Sequence, residues 1–128
     1  MRKNLTLTLA AAVASLAFSS IALAAGGPAG SYTTTVKSPA ELKGKWAITF
    51  AQGGSYKVAW NGETVARGTY RSTPTTVTLS FERGSSCKGV GVYAWKRSGK
   101  TVSFAKRSEA ASCPARAAVL SRTFTRAG

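Results

Sequence analysis

The chain has 128 residues, 44% of them hydrophobic, and sets 18 Lys and Arg against four acids, for a formal net charge of +14. It contains no His and no Asp, which excludes Ser-His-Asp and Cys-His catalysis and nearly all metal sites. Glycoside hydrolysis would need a pair drawn from Glu41, Glu63, Glu82 and Glu109, and the sequence scatters these over turns and a polar connection, so a non-catalytic protein with no cofactor and no metal is expected.

In chain order, Arg2 and Lys3 precede an apolar run from Leu5 to Leu23, which ends in Ala22-Leu23-Ala24. That pattern predicts a signal peptide over residues 1–24, a secreted or periplasmic protein and no transmembrane anchor in the mature form. Without Arg2 and Lys3, sixteen cations face four acids, a net charge of +12. Such a surface attracts anionic partners: nucleic acid, acidic polysaccharide, phospholipid or an acidic protein. The mature length suits one monomeric domain of about a hundred residues with a modest core.

Residues 25–37 read as a flexible arm or an edge strand, Ser31 to Lys37 having strand-forming composition. In Ser38-Pro39-Ala40-Glu41, Ser at the cap, Pro at the first helical position and Glu three residues on predict a capping box around one helical turn. From there residues 38–128 read as one β domain. Trp46, Ile48 and Phe50 share a face, as do Tyr56, Val58 and Trp60 after the Gly53-Gly54 turn. Asn61-Gly62 is the strongest hairpin signal. Ala66, Gly68 and Tyr70 form the next face, then Val77, Leu79 and Phe81. The segment 88–97 is apolar on both faces, with Gly89, Gly91, Tyr93 and Trp95 against Val90, Val92 and Ala94. Val102 and Phe104 follow, then a polar, Ala-rich connection over 107–117 and a last strand from about Ala118 to Arg126.

Seven short strands at even spacing predict an all-β, antiparallel up-and-down meander closing into a barrel of about eight strands. The eighth is either residues 31–37 or one merged with a neighbour. Cys87 and Cys113 read as a disulfide outside the cytosol. Closing that loop contributes about 3.5 kcal/mol in the chain-entropy model.

Leu42-x-Gly44-x-Trp46, Gly68-Thr69-Tyr70, Cys87-x-Gly89-x-Gly91-x-Tyr93-x-Trp95, and Cys113-x-x-Arg116 with Val119-Leu120 and Phe124-Thr125-Arg126 together resemble the calycin superfamily, and within it small secreted bacterial lipocalin-like proteins. The resemblance covers about residues 38–127. It implies that Gly44 and Trp46 are structural, with Trp46 at the closed barrel end and Arg126 or Arg122 across its indole. The small bacterial group often has an acid two positions before its second cysteine, where this chain has Ala111. The resemblance carries no activity.

The inward aromatic faces either fill the barrel or line an apolar pocket. The pocket reading assigns Tyr56, Trp60, Tyr70, Tyr93 and Trp95 to a small hydrophobic or anionic ligand. Arg122 shares a face with Leu120 and Phe124. Facing inward, it would contact a ligand anion or stack on Trp46; in a flipped register it would lie on the surface. The second reading is a protein-interaction module, such as an inhibitor of a secreted acidic hydrolase, using the arm at 25–37. Nucleic acid is disfavoured because basic and aromatic residues alternate and so fall on opposite faces.

Overall fold

The computed structural model describes residues 27–127, so the expected signal peptide lies outside the described residues. Eight antiparallel strands follow one another in sequence order around a closed barrel. They are β1 (Gly30–Val36), β2 (Gly44–Phe50), β3 (Ser55–Trp60), β4 (Glu63–Ser72), β5 (Thr76–Arg83), β6 (Gly91–Ser98), β7 (Thr101–Ser108) and β8 (Thr123–Arg126). One helix, α1 (Pro114–Leu120), stands between β7 and β8. No helix among the described residues is long and apolar enough to cross a membrane.

The eighth strand is β1, neither an arm nor an edge. It pairs with β2 from Gly30↔Phe50 to Val36↔Gly44, and with β8 at Tyr32↔Arg126 and Thr33↔Thr125. Tyr32 and Val36 are almost wholly buried, which is why the segment docks rather than waving free. The barrel therefore begins before residue 38.

Two further expectations change. The turn over Ala40–Leu42 is a 3-10 turn whose N-cap is Pro39, with no side-chain cap bond, so Ser38 and Glu41 form no capping box. Three residues make too short a turn to bring a Glu back to its cap. The last strand is only four residues long, because residues 114–120 coil into α1. Pro at the first helical position, followed by three Ala, Arg and Leu, favours that helix locally.

The chain reversals divide the barrel into two ends. The 53–54, 73–75 and 99–100 turns lie at one. The 3-10 turn, the Asn61-Gly62 turn, the 84–90 loop and α1 gather at the other. The first end is filled by aromatic rings. Phe50 meets Tyr70 edge-on at 5.0 Å, Phe104 at 6.0 Å and Tyr32 at 6.5 Å, and Phe104 meets Phe124 edge-on at 5.7 Å. Full burial of such a ring contributes about 1.5–3 kcal/mol. The Cys87–Cys113 disulfide ties the 84–90 loop to the start of α1 at the second end.

Candidate functional site

The second end is built differently. Asn61 and Gly62 both take positive φ, 50° and 91°, as the two-residue hairpin turn requires. The hairpin sets Trp46 opposite Trp60, and their indoles stack at 4.9 Å and 12°. Trp46 Nε1 donates to the Leu42 carbonyl at 2.8 Å and Trp60 Nε1 to the Lys43 carbonyl at 3.1 Å. The stacked pair thus pins the 3-10 turn to the sheet. Gly44, at φ 140°, passes so close that a Cβ there would lie 2.6 Å from Asn61 Oδ1 and 2.7 Å from Trp60 Nε1.

Across the mouth, α1 turns Arg116, Val119 and Leu120 inward, the i, i+3, i+4 spacing of one helix face. Between α1 and the inner faces of β2 to β5 lies a partly open cavity of about 400 Å³. Its walls are apolar: Ile48, Val58, Val65 and Leu79 from the sheet, Val119 and Leu120 from the helix. The Trp46–Trp60 pair and the disulfide complete it. Val58, Trp60 and Val65 pack against the core yet stay only half-buried, because the cavity leaves them uncovered.

A β-bulge supplies the polar end. Arg67 pairs with Arg83 and Thr69 with Ser80, so Phe81 and Glu82 together oppose Gly68. The extra residue reverses the alternation. Phe81 takes φ 53° and turns outward, 80% exposed, while Glu82 turns inward. The sequence places Phe81 inside, and the bulge is the reason that it is not. Gly68 has no side chain, so the Tyr56 ring lies over it; a Cβ there would meet Tyr56 Cε1 at 2.6 Å. Tyr56 then donates to Glu82 Oε1 at 2.5 Å, and Ser85 Oγ donates to Oε2 at 2.5 Å.

Arg116 joins this carboxylate to a second one. Its Nε and Nη2 donate to Glu109 Oε2 and Oε1 at 2.8 and 2.5 Å, its Nη1 to Glu82 Oε1 at 3.4 Å, and Nη2 also to the Gly89 carbonyl at 3.2 Å. Tyr93 donates to Glu109 Oε2. All three charged side chains are about 5% exposed. The formal charge of the cluster is −1, one guanidinium against two carboxylates. Burial pushes the Tyr56 and Tyr93 phenols well up, reinforced by Glu82 and Glu109, so both remain donors. Burial alone would raise the Glu109 carboxyl and lower Arg116. Their mutual hydrogen bonds outweigh it, so Glu109 sits below its usual value and Arg116 above.

Of the six residues assigned to a ligand from sequence, Tyr56 and Trp60 line this cavity. Tyr93 reaches only its polar end, through Glu109. Tyr70 and Trp95 belong to the opposite end, where Tyr70 donates to the Ala51 carbonyl at 2.7 Å and Trp95 Nε1 to Thr73 at 2.9 Å. Arg122 lies outside the barrel, since α1 displaces the strand that would have turned it inward; it donates to the carbonyls of Ala118 and Ser38 at 3.0 and 3.3 Å. Neither Arg122 nor Arg126 covers Trp46, whose stacking partner is Trp60. The cation over a ring among the described residues is Arg97 above Trp95, at 5.8 Å.

Sequence reasoning named Arg116, Glu82, Val119 and Leu120 but assigned none of them to a binding site. The signal for three of them was present: Pro114 followed by inward spacing at 116, 119 and 120. Comparison with protein-family models, with curated proteins and with solved structures finds no match to the chain.

Proposed function

We propose that this chain is an exported, non-catalytic binding protein with a lipocalin-like barrel, and that the cavity under α1 takes a small, apolar, uncharged ligand. The observation that carries the proposal is the cavity itself. About 400 Å³ of partly open space with apolar walls falls within the range of small-molecule sites. Glu82 and Arg116 line its polar end, and Glu109 outside the lining already holds the guanidinium, so a ligand anion would meet the Glu82 carboxylate and a cation whose charge is already matched. The anionic half of the expected ligand class is therefore dropped, and a neutral apolar body with at most a hydroxyl toward Glu82 is preferred.

Export rests on the N-terminal sequence pattern, and the disulfide agrees with an oxidising compartment. Kinship with the calycins rests on Gly44-x-Trp46 and the eight-stranded meander. The inhibitor reading loses its arm, which is strand β1.

Native mass spectrometry of protein purified from its own host tests the proposal. A copurifying small neutral molecule, lost when Ala66 at the cavity wall is enlarged to Phe, supports it. Protein that comes through empty and fails to take up any neutral apolar probe counts against it.

A further inference from the structure

Three cations stand in one line on the outside of the barrel. Lys57 faces Arg67 across β3 and β4, and Arg67 faces Arg83 across β4 and β5. All three are exposed, and the ion pairs among the described residues belong to Arg116 instead. Like charges placed directly opposite on neighbouring strands repel, so the row opposes folding rather than helping it. The adjoining row is hydroxylic: Ser55 faces Thr69, and Thr69 faces Ser80. Phe81 stands beside both rows, 80% exposed and at φ 53°, a backbone conformation that bulky side chains rarely adopt. A groove of about 790 Å³ runs over Thr49, Lys57, Arg67, Thr69, Phe81 and Arg83, with buried Tyr56 and Glu82 beneath it.

We infer that this groove binds a strand of acidic polysaccharide. Its carboxylates or sulfates pair with Lys57, Arg67 and Arg83. Its ring hydroxyls meet Ser55 and Thr69. One sugar face lies on Phe81, where weakly positive C–H bonds meet the negative face of the ring. The same features disfavour other anionic partners. Single-stranded nucleic acid needs successive stacking platforms, and Phe81 is the sole large aromatic strongly exposed among the described residues. An acidic peptide adding as a strand needs a free sheet edge, which a closed barrel lacks. A lipid surface calls for a cluster of protruding apolar residues, and the exposed large hydrophobics among the described residues are Phe81 and Val90 alone. The bulge is what brings an aromatic and the basic row onto one face, where alternation alone would have separated them.

Calorimetric titration with a polygalacturonate fragment at low ionic strength tests the inference. Binding is expected to weaken about tenfold or more in Lys57→Gln/Arg67→Gln and on raising the salt. The charge-matched Lys96→Gln/Lys106→Gln, both exposed on β6 and β7 and away from the groove, should lose much less. Phe81→Gly should weaken binding while leaving the fold as stable as before or more so, a combination that a merely structural phenylalanine would not give. Equal losses in the two double variants would reduce the effect to diffuse positive charge and overturn the site. No binding of polygalacturonate would also overturn it, as would tighter binding of oligo(dT), polyglutamate or phosphatidylglycerol vesicles.

Discussion

The Arg116 guanidinium holds the Glu109 carboxylate at two points, Nε to Oε2 at 2.8 Å and Nη2 to Oε1 at 2.5 Å. Seven residues apart in sequence, they meet because α1 folds back over the end of β7. A Cβ at Gly91 would lie 2.8 Å from Arg116 Nη2, so that glycine leaves the pair its room. A two-point guanidinium–carboxylate contact fixes orientation as well as charge. It therefore sets the angle at which α1 crosses the cavity mouth.

Arg116→Met should destabilise the fold by about 3–5 kcal/mol, because Glu109 and Glu82 would remain buried without a counter-charge. Urea unfolding measures it. Replacing Arg116, Glu82 and Glu109 together by apolar residues should cost less than Arg116→Met alone. Additive losses would mean that the three do not act as one unit.

Acid should loosen this end first. An unfolded Glu titrates at about 4.3. Glu109 lies below its usual value in the fold, where the bonds from Arg116, Tyr93 and the Ala110 amide outweigh burial. Between the two values the unfolded chain has taken up a proton that the folded chain has not. The stabilisation is thus whole above about pH 4.3 and is lost as pH falls through the lowered folded value. Melting temperatures followed from neutral pH into acid should fall less steeply in Glu109→Gln than in the parent protein.

Gly68→Ala should destabilise by about 1–3 kcal/mol, since the added Cβ would stand 2.6 Å from the Tyr56 ring. The Tyr56–Glu82 bond should be strained with it. Pairing the change with Tyr56→Leu, which removes the ring, should restore part of the loss in thermal melts.

The strand order was legible because alternation is a local property. Trp46, Ile48 and Phe50 read as one face and are all buried. The Cys87–Cys113 pairing was legible for a similar reason, since an antiparallel meander returns its loops to the same end. The site was not, because it depends on breaks in that regularity. Glu82 reads as outward until the bulge reverses it, and bulges leave no periodic signature. Val119 and Leu120 read as strand because they also alternate with Arg122 and Phe124, and the one-turn helical spacing after Pro114 is too short to outweigh that. Trp46 carried the right signal, an indole fixed beside Gly44, but its neighbour is Trp60 across the hairpin rather than a C-terminal arginine.

Phe81 holds a left-handed backbone that glycine adopts without cost. Phe81→Gly should leave stability unchanged or raise it by up to about 1 kcal/mol, because the exposed ring contributes little burial. Differential scanning calorimetry decides this. A clear fall in melting temperature would show that the ring packs on the barrel.

The proposed charge-selective pocket is tested most directly with a matched pair of ligands, decanol and decanoate, which share a chain and differ in head-group charge. The stacked Trp46 and Trp60 line the cavity and report binding by their fluorescence. The expected result is saturable one-to-one binding of decanol, decanoate at least about tenfold weaker, the equivalent of about 1.4 kcal/mol, and both lost in Ala66→Phe. Decanoate binding as tightly as decanol, or decanol binding unaffected by Ala66→Phe, would contradict it.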